Sequence, residues 1–246
     1  MKKILVFGPT RTGSNYIYAA VAKHLIPYYE LLSDRFSRSH KMYVNTTPDQ
    51  KLLLISNAVD YIVQKELAIT KCHPNHLFYL EEHNLLDKFK SADFYTIVTL
   101  RRDLVQASIS HARGVITKEW FEYDTTFTPM ALTQEQLLVG LNSTIYSLFE
   151  ILDNRCKIRY DEVVYYEDIT GVPGQDIKKL KIYTPDLFGP EKPAPVYPER
   201  SPNKEETLLN YNELEESSLE FFDSWNGKDD RFTIVNGNLK INLKGF

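Results

Sequence analysis

Apolar positions in this chain fall into short solid runs and into stripes at helical spacing, and the two kinds alternate. Ile4-Leu5-Val6-Phe7 is a solid run and predicts a buried strand. Tyr16 to Leu25 is apolar-rich and predicts a helix. Thr47-Pro48-Asp49 opens the next helix, with a capping Thr, a Pro in the first turn and an acid near the positive end. Leu52, Ile55, Val59, Ile62 and Val63 give that helix one apolar face. Leu67 to Thr70 predicts a second strand ending at Lys71, and Phe78 to Phe89 a helix. Phe94 to Leu100 is almost wholly apolar, as a central parallel strand is, and Asp103 to Ala112 continues as a helix. Thr133 and Gln136 stand in capping-box positions before a long helix. Glu162 to Tyr166 predicts a fourth strand, Thr184 to Pro202 a Pro-rich ordered excursion, and Glu205 to Trp225 a helix. Phe232 to Leu243 alternates around Asn236-Gly237, a hairpin signal.

Strands separated by helices imply a parallel sheet with right-handed crossovers, hence an α/β fold of three layers: a central parallel sheet flanked by helices. Ligands of such sheets bind at the carboxyl ends of the strands. The 246 residues suit one domain, with a motif-bearing core over 1–170 and an elaboration over 171–246, though two small domains fit the length as well. A net charge of -4 gives no global basic field, so nucleic acid is not an expected partner. Cys72 and Cys156 form no spaced set and read as small buried hydrophobes of a reducing compartment, with no structural zinc site. No apolar run approaches the roughly 20 residues of a membrane span. Lys2-Lys3 and the short run after them fall short of a signal peptide, so a cytoplasmic protein is expected. Nothing in the sequence indicates an oligomeric state.

The chemistry gathers at three strand ends. Gly8-Pro9-Thr10-Arg11-Thr12-Gly13-Ser14-Asn15 stands between a strand and a helix, the geometry that offers backbone N–H groups to an anion. Gly8 and Gly13 have the spacing of the nucleotide-binding P-loop, but Ser14-Asn15 replace its Lys. That Lys would reach the terminal phosphates of ATP or GTP, so hydrolysis of either is disfavoured. The second strand ends in Thr70-Lys71-Cys72-His73-Pro74, and the third in Leu100-Arg101-Arg102-Asp103 with Ser108 and Ser110 beyond. An ATPase would place a magnesium-holding acid at such an end. Cations there instead imply an anionic ligand neutralised by the protein, without a metal.

With these residues the chain resembles the sulfotransferases that use 3′-phosphoadenosine 5′-phosphosulfate (PAPS), a family of P-loop-like α/β architecture. Pro9 to Asn15 resembles the family's loop for the 5′-phosphosulfate, and Thr70 to Pro74 the Lys-Thr-His stretch that carries a general base. Arg101-Arg102 to Ser110 resembles the Arg…Ser motif for the 3′-phosphate, and Tyr165-Tyr166-Glu167-Asp168-Ile169 the Tyr-Glu-Asp-Leu landmark. The four matches occur in family order over about residues 1 to 170. The resemblance implies that the N–H groups of Thr12, Gly13, Ser14 and Asn15, with the Ser14 hydroxyl, hold the 5′-phosphate. It implies that Arg11 meets the sulfuryl oxygens and Lys71 neutralises charge there. His73 would be the base toward a hydroxyl or amine of a small-molecule or carbohydrate acceptor, with Glu30 the second candidate. For the 3′-phosphate, Arg102 with Ser110 fits the family spacing, while the strand end favours Arg101; Ser108 is the other hydroxyl.

The family's Arg-Lys-Gly stretch near the C-terminus is not recognisable, and Lys204 is a candidate contact from that part. Trp120-Phe121 cover the acceptor or belong to a packed excursion, and His76, His83 and His111 read as structural. Two other functions stand beside transfer from PAPS to an acceptor: a nucleotide or small-molecule kinase, and a non-catalytic module that grips a 3′-phosphonucleotide.

Overall fold

The computed structural model describes residues 3–12, 14, 17–18, 26–28, 47–117, 129–169, 180–182 and 208–242. Strand β1 (Ile4–Phe7) is buried along its whole length. It pairs in parallel with β3 (Ala68–Cys72) on one side and β4 (Tyr95–Leu100) on the other. The edges are β2 (Ile26–Tyr28) beside β3 and β5 (Glu162–Tyr165) beside β4, giving the order β2-β3-β1-β4-β5. The fold is therefore α/β, as the alternation of strands and helices predicts. The edge strand β2 is an addition: three residues that include Pro27 carry no strand pattern, and Pro lacks the N–H a central strand needs.

Side chains alternate across the sheet and feed two cores. Leu5, Phe7, Ala68, Cys72 and Val98 belong to the larger one. It is closed by α1 (Pro48–Gln64), α2 (Pro74–Glu82), α3 (Leu86–Lys90), α4 (Leu104–Thr117), α5 (Gln134–Asp153) and α7 (Tyr211–Asp223). Ile4, Val6, Ile69 and Ile97 face the other way, onto Ile17 and Tyr18, which are helical after the first loop, and onto Ile169 of the short α6 (Tyr166–Ile169). Burial on both faces explains why these strands read as solid apolar runs.

Thr47 and Thr133 both form full capping boxes, with Gln50 and Gln136. The helix expected over Phe78 to Phe89 is instead two, α2 and α3, because Asn84 adopts a left-handed φ of 58° and breaks the turn between them. Strand β3 runs on through Lys71 to Cys72, and α4 continues past Ala112 to Thr117. Thr184 to Pro202 lies outside the described residues. No helix among the described residues is long and apolar enough to cross a membrane.

The predicted hairpin forms from β6 (Phe232–Val235) and β7 (Asn238–Ile241), joined by Asn236 and Gly237, both at positive φ as a tight twisted turn requires. It packs into the larger core through Phe232, Ile234 and Leu239. Its turn docks on the link between β4 and α4: Leu239 N donates to Arg102 O at 2.7 Å, and Leu104 N donates to Gly237 O at 3.0 Å. The hairpin thus fixes the backbone that carries Arg101 and Arg102. A Cβ at Gly237 would lie 2.6 Å from Val105 Cγ2, on a backbone at φ 71°. Gly237→Ala is expected to lower stability by about 1–3 kcal/mol, from strain and overpacking together, read as a lower midpoint in urea.

Candidate anion-binding site

The parallel register sets Phe7 opposite both Cys72 and Val98, so the residues following β1, β3 and β4 emerge along one sheet edge. Gly8 is first out of β1, and it is a Gly for a steric reason. A Cβ there would stand 2.4 Å from both the carbonyl oxygen and the hydroxyl of Thr99 on β4. The close approach lets the loop be pinned. Thr12 Oγ1 donates to Pro9 O at 2.8 Å and lies 2.8 Å from Thr99 Oγ1, which also reaches Phe7 O at 3.4 Å. Thr12 and Thr99 are both buried.

Two further contacts tie the loop to α4. Thr10 Oγ1 lies 2.6 Å from His111 Nδ1, and Arg11 Nε donates to Ser110 Oγ at 2.8 Å. Arg11 adopts a left-handed φ of 67°, a conformation that costs a non-Gly residue about 1–2 kcal/mol. Burial, and then the like charges of Arg101 and Arg113, push its guanidinium down to about 10, partly offset by Tyr166. The folded state holds that proton less firmly than the unfolded chain does. The resulting destabilisation is present below pH 10 and fades as the pH rises through that value. A bound anion would relieve it at neutral pH.

Arg101 and Arg102 have separate employments. Arg102 donates from Nη1 and Nη2 to the two Asp168 carboxylate oxygens, each at 2.7 Å, and lies 4.2 Å over the Tyr165 ring. Asp168 raises the Arg102 guanidinium accordingly. Glu167 accepts from Arg102 N at 3.0 Å and Asp103 N at 3.2 Å, so its carboxylate occupies the positive start of α4. Arg101 turns the other way, 4.9 Å over the Tyr166 ring and coupled to Arg11. Its Nε is buried, 3.7 Å from Glu167 Oε1, and has no hydrogen-bond partner among the described residues. The two serines divide likewise. Ser108 is fully buried and donates to Thr144 Oγ1 of α5 at 2.9 Å, whereas Ser110 meets Arg11.

His73 leaves the end of β3 and reaches across to the first loop residue. Its Nδ1 lies 2.7 Å from Gly8 O. A carbonyl oxygen only accepts, so Nδ1 carries the proton and, in the neutral ring, Nε2 carries the lone pair. The His73 backbone N donates to His76 Nδ1 at 3.2 Å, which orients the second ring. Lys71 is buried within β3, on the face it shares with Ile69. Ser14 is buried at the start of the helical residues after the loop. Gly13, Asn15, Glu30, Trp120, Phe121 and Lys204 lie outside the described residues.

Two groups around the loop escape the sequence patterns, and a third carries a single cue. Thr99 lies inside an apolar strand run, and His111 has no partner nearby in the chain. Arg113 has a visible signal, a cation in a largely apolar helix three residues beyond Ser110. The arrangement gathers guanidinium groups and an oriented imidazole at one end of the sheet, which can hold an oxyanion and accept a proton beside it.

No protein-family model matches the chain, and no curated protein matches it. Among solved structures it is similar to shikimate kinase from Bacteroides thetaiotaomicron, at 11% identity and a TM-score of 0.40, over 72% of this chain and 92% of that one. It is also similar to the sulfotransferase domain from the Synechococcus PCC 7002 olefin synthase, at 18% identity and a TM-score of 0.39, over 68% of this chain and 67% of that one.

The left-handed strain at Arg11 can be measured without its charge. Arg11→Gly is expected to be about 1 kcal/mol more stable than Arg11→Ala, because both lose the guanidinium and only Gly accepts the φ freely. Equal urea midpoints for the two variants would count against that strain.

Proposed function

We propose that this protein is a sulfotransferase that binds PAPS and transfers its sulfuryl group to a hydroxyl, or to an amine, of a small-molecule or carbohydrate acceptor. The observation that carries the reading is the bond from Arg11 to Ser110, with Arg101 acting on Arg11 as a like charge and keeping a buried Nε that has no hydrogen-bond partner among the described residues. Loop and α4 together present donors to one place, as a ligand with anionic groups on the 3′ and 5′ oxygens of one ribose requires. The close Gly8–Thr99 approach and the pinned loop fit such a ligand.

In this reading the N–H groups of Thr12 to Asn15 hold the 5′-phosphate, and Arg101 and Ser110 hold the 3′-phosphate. Arg102 and Ser108 stay in the framework, with Asp168 and Thr144. When bound, PAPS supplies an activated sulfuryl group. His73, held by Gly8 O in the tautomer with a basic Nε2, takes the acceptor proton. Glu30 is the second candidate for that task. Arg11 and Lys71 stabilise charge on the oxygens around sulfur, a mainly electrostatic contribution. No step calls for a metal.

Calorimetric titration of the full chain with 3′-phosphoadenosine 5′-phosphate (PAP), ADP and ATP tests the reading. PAP is expected to bind most tightly, and Arg101→Ala to cost about 1.5–3 kcal/mol of that affinity, while Arg102→Ala lowers mainly stability. ATP binding as tightly as PAP, above all with magnesium, would overturn the reading in favour of a kinase.

In an acceptor screen with PAPS, His73→Ala is expected to lower turnover by about 10²–10⁴ while PAP affinity holds. The same loss from Glu30→Gln, with His73→Ala active, would move the base to Glu30. PAP binding without product in any assay would leave a binding module.

A further inference from the structure

We propose that His76 is a positioning residue for His73, fixing through its Nδ1 the backbone from which the proton-accepting imidazole projects. The assignment rests on the reading of His73 as the base.

His73 is the N-cap of α2, with an extended backbone at φ -105° and ψ 161°. Three bonds place it. Its ring meets Gly8 O through Nδ1 at 2.7 Å. Its backbone N donates to His76 Nδ1 at 3.2 Å, and its carbonyl oxygen accepts from His76 N at 2.9 Å. His76 thus grips the His73 backbone on both sides of the Cα, once through its ring and once through its main chain. His76 is itself buried, and its ring stands 5.2 Å from the His73 ring, centroid to centroid, at a tilt of 58°.

Helices α1 and α5 of the same chain show what this position does. Gln50 and Gln136 stand three residues after their N-caps, and their side chains accept from Thr47 N and Thr133 N, each at 2.9 Å. In α2 the equivalent place belongs to His76. Gln supplies the hydrogen-bond acceptor on a long and freely rotating side chain. A packed imidazole supplies it with fewer alternatives, which holds the N-cap residue more closely. Because Nδ1 accepts, Nε2 carries the proton of the neutral His76 ring. The sequence reads His76 as structural, and the bond to His73 N gives that structure a bearing on the base. A small displacement of the His73 backbone would alter both the bond to Gly8 O and the direction of Nε2, to which proton transfer is sensitive.

The test uses the full chain, with isotope-labelled histidine. Wild type, His76→Phe and His76→Gln are compared in the tautomer of His73 by nitrogen NMR, in PAP affinity, and in turnover with PAPS in the acceptor screen. The His73 signal is assigned by its loss in His73→Ala. Phe keeps a ring without Nδ1, and Gln restores the hydrogen-bond acceptor as in α1 and α5. Wild type is expected to carry the His73 proton on Nδ1. In His76→Phe that population is expected to fall toward the mixture of a free imidazole, and turnover to drop about tenfold or more, while PAP affinity stays within about twofold. His76→Gln is expected to recover most of both losses. An unchanged His73 tautomer in His76→Phe would overturn the proposal, and so would turnover within about twofold of wild type, even if the variant melts earlier. Equal losses in His76→Gln and His76→Phe would also overturn it, since the hydrogen-bond acceptor would then not be what His76 supplies. If wild type forms no product, or turnover survives His73→Ala, the reading of His73 as the base falls and the tautomer comparison alone decides on His76. Should His76→Phe not fold, His76→Leu carries the same comparison.

Discussion

The close contact between Gly8 and Thr99 is the constraint on which the site depends. Two parallel strands run side by side at ordinary spacing, and where β1 ends the chain must turn without drifting from β4. The missing Cβ allows the turn to start against the Thr99 carbonyl, and the Thr99 hydroxyl then meets Thr12 at the far side of the same turn. With both ends of the loop fixed to β4, Thr10 and Arg11 between them have one direction in which to project, toward α4. The bonds to His111 and Ser110 are consequences of that geometry.

Charge is managed by segregation. Of the acids that follow β5, Asp168 takes Arg102, and Glu167 satisfies backbone N–H groups and stands 3.7 Å from Arg101 Nε. Arg101 and Arg113 both act on Arg11 as like charges. Adjacent arginines thus meet different acids, Arg102 in a bidentate pair with Asp168 and Arg101 at longer range to Glu167. Burial and these like charges together lower the affinity of the Arg11 guanidinium for its proton. The left-handed backbone at Arg11 adds strain at the same point, in keeping with the tendency of such conformations to gather at functional sites.

Much of this organisation is legible in the sequence. The solid runs at Ile4 and Phe94, the capping Thr residues and the Asn236-Gly237 turn each carry a local physical signal, and each element forms where that signal stands. Strand β2 does not announce itself, because three residues in edge pairing need no pattern of their own. The break at Asn84 is set by one residue's tolerance of positive φ inside an otherwise helical stretch. In the site, Arg11, His73 and the Arg101-Arg102 pair are visible as residue types at strand ends. The split between Arg101 and Arg102 is not, because it is decided by Glu167 and Asp168, more than sixty positions on. Thr99 and His111 are hidden for the same reason: their partners are reached only through the sheet register.

The hairpin of residues 232–241 gives this arrangement a temporal order. The two arginines whose charge acts on Arg11 stand in the first half of the chain, yet the peptide bearing Arg101 and Arg102 is clasped by residues 237 and 239. During synthesis the sheet strands and the loop leave the ribosome long before the hairpin does. The nascent protein therefore carries Arg101 and Arg102 without their final brace until the two hairpin strands have emerged.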